Sequence, residues 1–421
     1  MLISVWLRYI VLVMVLCPIS FSLTVWHSMA TPHERRALEE IVALYRQDNP
    51  AVKVQLVYIP GNEADATKLI SAVLGGSGPD VYCIDRFTIA QRAAQHLLEP
   101  LEPWLASCLP DSIDLARDFY PFAIREVIYN RQLYGLPFDT DVRVLYYNKA
   151  VMREIGLPAD SAPSTLEELD EIAKRTTVKR GKKAIRYGFI PWQGQGWHYT
   201  WGLVFGGAFF DESQHHFCFA TDSAILQSMR WQKKYAQEYG MQYVSAFLMT
   251  FGTNVQSFLT GRLAMLIEGN WLIQDFESFA PPGFEYGIAP IPHPRDGCKN
   301  STWAGGQAFV MPRGVKERDA AVRFIVDICT RGQLLFAPQT KHLATFRPGN
   351  DLLIAQYPNM KFFVELLATA QCRPVLPVGA LFWDKLTEAR ELIFYNKKSA
   401  QQALRDAQRL LQAELERADA H

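Results

Sequence analysis

Residues 133–150 read LYGLPFDTDVRVLYYNKA, and this stretch decides the fold. Its first part, Leu133-Tyr134-Gly135-Leu136-Pro137-Phe138, is a short apolar strand that Gly135 and Pro137 allow only as an edge or irregular one. Its second part, Val142-Arg143-Val144-Leu145-Tyr146-Tyr147, is β-branched and aromatic, the composition of a well-packed strand. Asp139-Thr140-Asp141 lies between them, a polar step too short to be a long loop. A helix-like segment follows Asn148. Such a pattern describes a chain crossing from one compact unit to another. The rest of the molecule is expected to form two lobes hung on this crossing, with a ligand beside it.

The bulk properties agree with two units. A chain of 421 residues exceeds one small core. Hydrophobic residues make up 49% and charged residues 20%, which excludes a disordered chain. With 43 basic and 43 acidic residues no cationic excess exists, so nucleic acid is not expected as a partner. The N-terminus reads as an export signal. Arg8 gives a positive start, residues 9–17 form a short apolar core, Pro18 breaks it, and Ser20 and Ser22 suit cleavage after Ser22. An uncleaved anchor is the alternative, because the uncharged run continues to Trp26. Cys83, Cys108, Cys218, Cys298, Cys329 and Cys372 would survive cleavage, and the sequence does not choose among their pairings. Cys83 and Cys329 sit in apolar segments and read as buried thiols.

Before the crossing, strands alternate with helices. Strands are expected at 23–27, 52–59 and 80–84, and helices at 32–47, 65–74 and 88–97. This order predicts a largely parallel sheet with covered faces. Ligands on such sheets sit at the carboxyl ends of the strands, here near Trp26-His27-Ser28, Pro60-Gly61-Asn62 and Asp85-Arg86. After the crossing, helices are expected at 165–175 (capped by Ser164, with Glu167 three residues on), 223–238, 254–260, 319–330, 361–370, 382–393 and 400–414. Strands are expected at 187–191, 263–267, 286–290 and 303–310.

Several of these pieces, in this order, resemble the extracellular solute-binding proteins of ABC importers, in particular the sugar-binding family that includes maltose-binding protein. They are the opening Leu23-Thr24-Val25-Trp26-His27-Ser28-Met29, then Gly78-Pro79-Asp80-Val81 followed by Asp85-Arg86-Phe87. Next come Leu145-Tyr146-Tyr147-Asn148-Lys149 and Gly261-Arg262-Leu263-Ala264-Met265 leading to Gly269-Asn270-Trp271. Trp303-Ala304-Gly305-Gly306 and the helix carrying residues 320–328 complete the set. The resemblance implies an α/β fold of periplasmic-binding-protein type II, two lobes with a ligand cleft and hinge crossings near residues 139–143, 303–307 and 331–338. It divides the chain into a signal peptide (1–22), lobe one (23–139, with a return segment 306–332) and lobe two (140–305 and 333–421).

The same resemblance directs attention to particular side chains. Asp85 and Arg86 end a buried strand where relatives bind sugar hydroxyls, and a carboxylate can accept from two hydroxyls. A charged hydrogen bond of that kind contributes about 1.5–3 kcal/mol, against under ~1 kcal/mol for a solvated strand-end charge pair. Asp139 or Asp141 matches an acidic sugar-binding position, and each can equally tie the hinge. Trp271 matches a stacking tryptophan, since an aromatic ring offers apolar area to the C–H face of a pyranose. Trp192 and Trp197 lie in the glycine-rich PWQGQGW, an odd place for core residues, so one of them is expected at the cleft, whereas Trp201 reads as core. Trp383 resembles a further stacking position. Gly305 and Gly306 match a close backbone approach in which amide N–H groups face a ligand. Arg347 reaches the cleft or caps a helix. The segment Ala30-Thr31-Pro32-His33 lacks the acidic-basic pair with which the maltose-binding relative grips sugar, and no early lobe-one tryptophan matches.

The expected role is that of a non-catalytic, exported binding protein, periplasmic or cell-surface associated and monomeric, that captures a sugar or oligosaccharide and delivers it to an ABC permease. No cofactor or metal is expected. Two rivals remain. A binder of glycerol-3-phosphate or a glycerophosphodiester would need a cationic cleft around Arg86, Arg143 or Arg347. A carbohydrate-active hydrolase would need two carboxylates drawn from Asp85, Asp139, Asp141 and Glu268.

Overall fold

The computed structural model describes residues 21–60, 67–251 and 254–420. The signal-peptide reading therefore falls almost wholly outside the described residues, as does the expected strand-end pair Gly61-Asn62. The first strand runs Phe21–His27, two residues earlier than expected, with Leu23, Val25 and His27 buried at every second position. Thr31 then caps the helix Pro32–Asp48 through a reciprocal capping box with Glu34, and Pro32 opens its first turn. Leu38, Ile41, Val42 and Tyr45 turn to the sheet from that helix.

The first sheet holds six strands. Val52–Tyr58, Phe21–His27 and Val81–Asp85 lie side by side in parallel, and Gln307–Pro312 returns antiparallel against Val81–Asp85. Gly135–Pro137 pairs with the same return strand, opposite Phe309 and Val310. Gly135 is required there. A Cβ would stand 2.8 Å from Val310 Cγ1 and 2.9 Å from the Phe309 carbonyl oxygen.

The second sheet is antiparallel. Arg143–Asn148 is its middle strand, flanked by Met265–Gly269 and Tyr286–Ala289. All six residues of Arg143–Asn148 are buried, as its β-branched and aromatic composition predicts. The expected strand at 187–191 reduces to a single bridge, Tyr187 to Leu263. The segment is drawn instead into a loop by Trp201, whose Nε1 donates to the Pro191 carbonyl at 2.7 Å. The helix expected from 165 is capped one residue later than expected, by Thr165 with Glu168, and Ser164 also bonds Glu168. Helices Glu102–Cys108, Met241–Phe251, Leu272–Phe279, Gln333–Thr340 and Arg347–Gln356 are additional.

The apolar clusters change hands at the chain crossings. Phe138 packs in the core of the first sheet and Val142 in that of the second. Phe336 belongs to the first and Ala337 to the second, inside one helix. Trp303 lies in a third cluster with Tyr199, Phe382 and the C-terminal helices Gly379–Phe394 and Ala400–Asp419, whereas Ala308 is back in the first core. Among the described residues no helix is long and apolar enough to cross a membrane.

Candidate functional site

Between the two units lies a cavity of about 550 Å³. From the first unit, the carboxyl ends of three strands contribute Ser28, Tyr58 and Asp85, followed by Phe87 and Thr88. The crossings contribute Asp141, Arg143, Trp303, Gly305 and Gly306. The far unit contributes Gln195 and Trp197 from the glycine-rich loop, Arg373, and Trp383 with Asp384 at the start of a helix.

Each cationic side chain in the cavity wall already has a carboxylate. Arg143 is bonded through Nη1 to Asp141 and also donates to the Trp303 carbonyl. Its guanidinium lies 3.3 Å over the Trp303 ring. Arg373 grips Asp85 with both terminal nitrogens, Nη2 to Oδ1 at 2.6 Å and Nη1 to Oδ2 at 3.3 Å. Burial pushes the Asp85 carboxyl up, but Arg373 and the Phe87 amide outweigh it and hold the group below the ordinary carboxylate range. Burial likewise lowers Arg143, opposed by Asp141.

The aromatic side chains surround the polar centre. The rings of Trp197 and Trp383 are 5.1 Å apart, and Tyr199 stacks on Trp383 at 5.7 Å with 29° between planes. Phe87 faces Trp383 from the other unit at 6.3 Å. Trp303 is fixed by its Nε1 donating to Thr200 Oγ1 at 2.8 Å.

Of the residues singled out from the sequence, Asp85, Asp141, Trp197, Gly305, Gly306 and Trp383 line the cavity. The Gly305 amide, expected to face a ligand, is taken by Asp141 Oδ1 at 2.6 Å. Gly306 serves the hinge. At φ +126° its absent Cβ would sit 2.4 Å from the Asp139 carbonyl oxygen and 2.7 Å from Arg86 Nη1. Trp271 stands beside the cavity, 5.6 Å from the Arg143 guanidinium and folded back over Gly269.

The other four residues do not line it. Arg86 is a buried hub: it pairs with Glu126 at 2.8 Å and donates to the carbonyls of Asp139 and Gly305. Asp139 ties the hinge, accepting from the Gln307 amide at 2.6 Å and meeting His342 Nδ1 at 2.9 Å. Trp192 packs on Phe394 at 4.8 Å. Arg347 lies over the Tyr120 ring at 4.2 Å, on a separate groove. The sequence does not single out Arg373, Gln195, Tyr58 or Asp384, and Phe87 and Trp303 enter only as motif landmarks. No local pattern marks Arg373, because its partner Asp85 is 288 positions away.

Comparison with known proteins adds to this geometry. The family model described as bacterial extracellular solute-binding protein matches residues 31–326. The maltotriose-binding protein of Pyrococcus abyssi (strain GE5 / Orsay) is 25% identical over 90% of this chain and 79% of its own length. The maltooligosaccharide ABC transporter solute-binding lipoprotein of Streptococcus pneumoniae serotype 4 (strain ATCC BAA-334 / TIGR4) is 28% identical over 47% of this chain and 45% of its own. The solved structure of CpMnBP1 with mannotriose bound is 25% identical, with TM-score 0.80 over 92% of this chain and 98% of that chain. The fold is that of the type II periplasmic binding proteins.

Proposed function

The chain belongs to the bacterial extracellular solute-binding proteins, and we propose that it captures a neutral saccharide of a few rings between its lobes and delivers it to an ABC importer's permease. The observation that carries this reading is the cavity wall itself. Its two arginines are each paired with an aspartate, and indole rings stand around them. Such a wall offers apolar area to the C–H faces of a sugar ring and hydrogen bonds to its hydroxyls. Among the described residues it offers no free cation to a phosphate, although the presence of Arg143 and Arg373 favours the glycerol-3-phosphate reading. The names of the relatives, which bind maltotriose and maltooligosaccharide, and the mannotriose held by CpMnBP1 point the same way.

Hydrolysis fits this wall less well. A glycosidase needs one carboxyl group kept protonated near neutral pH, and Asp85 is held in the opposite direction by Arg373. In the proposed role the ligand leaves chemically unchanged. Closure follows from binding: a ligand that touches both lobes shifts the population toward the form in which they meet. A shift from mostly open to mostly closed needs about 5.5 kcal/mol of differential affinity.

The test is tryptophan fluorescence of the mature protein titrated with maltose, maltotriose, mannobiose, mannotriose and glycerol-3-phosphate. The expected result is a saturable change with a neutral saccharide, little affected by salt, and an intact sugar recovered afterwards. In Trp383→Ala the affinity should fall by about 1–3 kcal/mol, the range of a lost aromatic anchor, with folding retained. A response to glycerol-3-phosphate alone, weakening as salt rises, would overturn the reading.

A further inference from the structure

Arg373 follows the strand Ala370–Gln371, which pairs with Thr302–Trp303, and its guanidinium lies 5.1 Å over the Trp303 ring. Its backbone thus travels with the far lobe. Its side chain does not end there. It is 5% exposed and reaches into the first lobe, where it grips Asp85 and lies 4.4 Å over the Phe87 ring. Behind Asp85 its Nε faces Glu126 Oε1 at 4.0 Å, and Glu126 pairs through its other oxygen with Arg86. Asp85, Arg373, Glu126 and Arg86 therefore form a row of alternating charge in which one member alone comes from the far lobe.

Two facts set this row apart from an ordinary buried ion pair. The Asp85–Arg373 bonds join the two lobes, so separating the lobes here breaks them and their free energy favours the closed form. In addition, Arg373 Nε and Glu126 Oε1 are both buried with no hydrogen-bond partner, and they face each other about an ångström beyond bonding distance. A small further approach of the lobes pairs both orphan atoms at once.

We infer that Arg373 is an interlobe latch, a positioning residue that sets the open–closed balance of the cleft and orients Asp85 without itself choosing the sugar. This rests on the saccharide-binding reading for its consequence and on the contacts alone for its mechanism. With the latch in place the closed form is populated before ligand arrives, and the apparent affinity scales with that population. Asp85 then presents to the ligand only the lone pairs that Arg373 and the Phe87 amide leave free. Discrimination among sugars falls to Trp197, Trp383 and the neutral polar groups.

The experiment measures the radius of gyration by small-angle X-ray scattering, without ligand and at saturation, together with affinities for the saccharides that bind. It uses the unaltered protein, Arg373→Gln, and the charge-cancelled pair Asp85→Asn with Arg373→Met, which keeps the latch broken without leaving Asp85 buried and unpaired. Both variants should be larger than the unaltered protein without ligand and equal to it at saturation. The affinity of Arg373→Gln should fall by one common factor for every saccharide, between about fivefold and about a hundredfold. An unchanged ligand-free radius, with a loss confined to one saccharide, would overturn the latch and make Arg373 a direct ligand contact. Should no saccharide bind the unaltered protein, the sugar reading fails, and the ligand-free radii still decide the latch.

Discussion

The lobes meet through buried charge at the cleft wall and through partly exposed charge on the hinge side, and these two contacts differ in kind. At the cleft wall, Arg373 meets Asp85 and Glu126 with 5%, 30% and 1% of their side chains exposed. On the hinge side, His342 stands between Asp139 Oδ2 at 2.9 Å and Glu34 Oε1 at 3.5 Å, with 20% of its side chain exposed. Glu34 belongs to the helix Pro32–Asp48 of the first lobe, and Asp275, on the helix Leu272–Phe279 of the second, also feels the His342 charge. The first contact uses a cation that never loses its proton. Burial disfavours the charged form of His342, but the bond to Asp139 and the charges of Asp139, Glu34 and Asp141 overcome it and lift its pKa to about 8. One contact is therefore fixed across physiological pH and the other fades within it.

The largest effect that can break this contrast is expected from the dry side. In Arg86→Met, Glu126 loses the partner that opposes its burial, and the carbonyls of Asp139 and Gly305 lose a shared donor. Removing one partner of a buried pair costs about 3–5 kcal/mol, so the urea midpoint should drop steeply, and more at pH 9 than at pH 6, because burial already pushes the Glu126 carboxyl up and a proton relieves part of the cost. A loss smaller than that of a surface charge would show that the buried row does not hold the hinge.

The hinge side should show the opposite pH behaviour. The folded pKa of His342 lies above the unfolded value of 6.5, so its stabilisation is complete below about pH 6.5 and is lost as pH rises through about 8. That rise corresponds to at most about 2 kcal/mol. Stability measured by urea unfolding should decline by up to that amount between pH 6 and pH 9, and His342→Gln should flatten the decline. A profile that stays level in the unaltered protein, or one that the variant leaves unchanged, removes the distinction between the two contacts.

The smallest effect marks the limit of both. Arg125 meets Glu212 across the lobes at 3.4 Å, with 53% and 66% of their side chains exposed. Solvent screens such a pair, and Glu212→Ala should cost under about 1 kcal/mol and vanish in high salt. A larger cost in thermal unfolding would mean that exposed interlobe charge matters as much as buried charge.

The site was partly legible before folding. Asp85 is a candidate because a buried strand ends there, and Trp197 because an indole in a glycine-rich loop has no core to enter; both line the cavity. Arg86, next to Asp85 in sequence, has the same claim as a ligand contact. The structure turns it inward to Glu126, and nothing in the order of residues tells the two directions apart. The same loop argument applies to Trp192 as to Trp197, but Phe394 covers it.

By itself the sequence determined what local chemistry can determine. The helix after Thr31, the alternating strands of the first lobe, the well-packed strand at Arg143–Asn148 and the crossing at Asp139-Thr140-Asp141 all follow from side-chain period, β-branching and turn residues within a few positions of one another. The tertiary structure alone decided that the second sheet is antiparallel and that Asp85 is held by Arg373 instead of standing free for a ligand. It also decided that a histidine near the end of one helix titrates between the lobes. Strand direction depends on the path of the intervening chain, and an ion pair depends on two backbones meeting after hundreds of residues. Neither leaves a periodic trace in the order of amino acids.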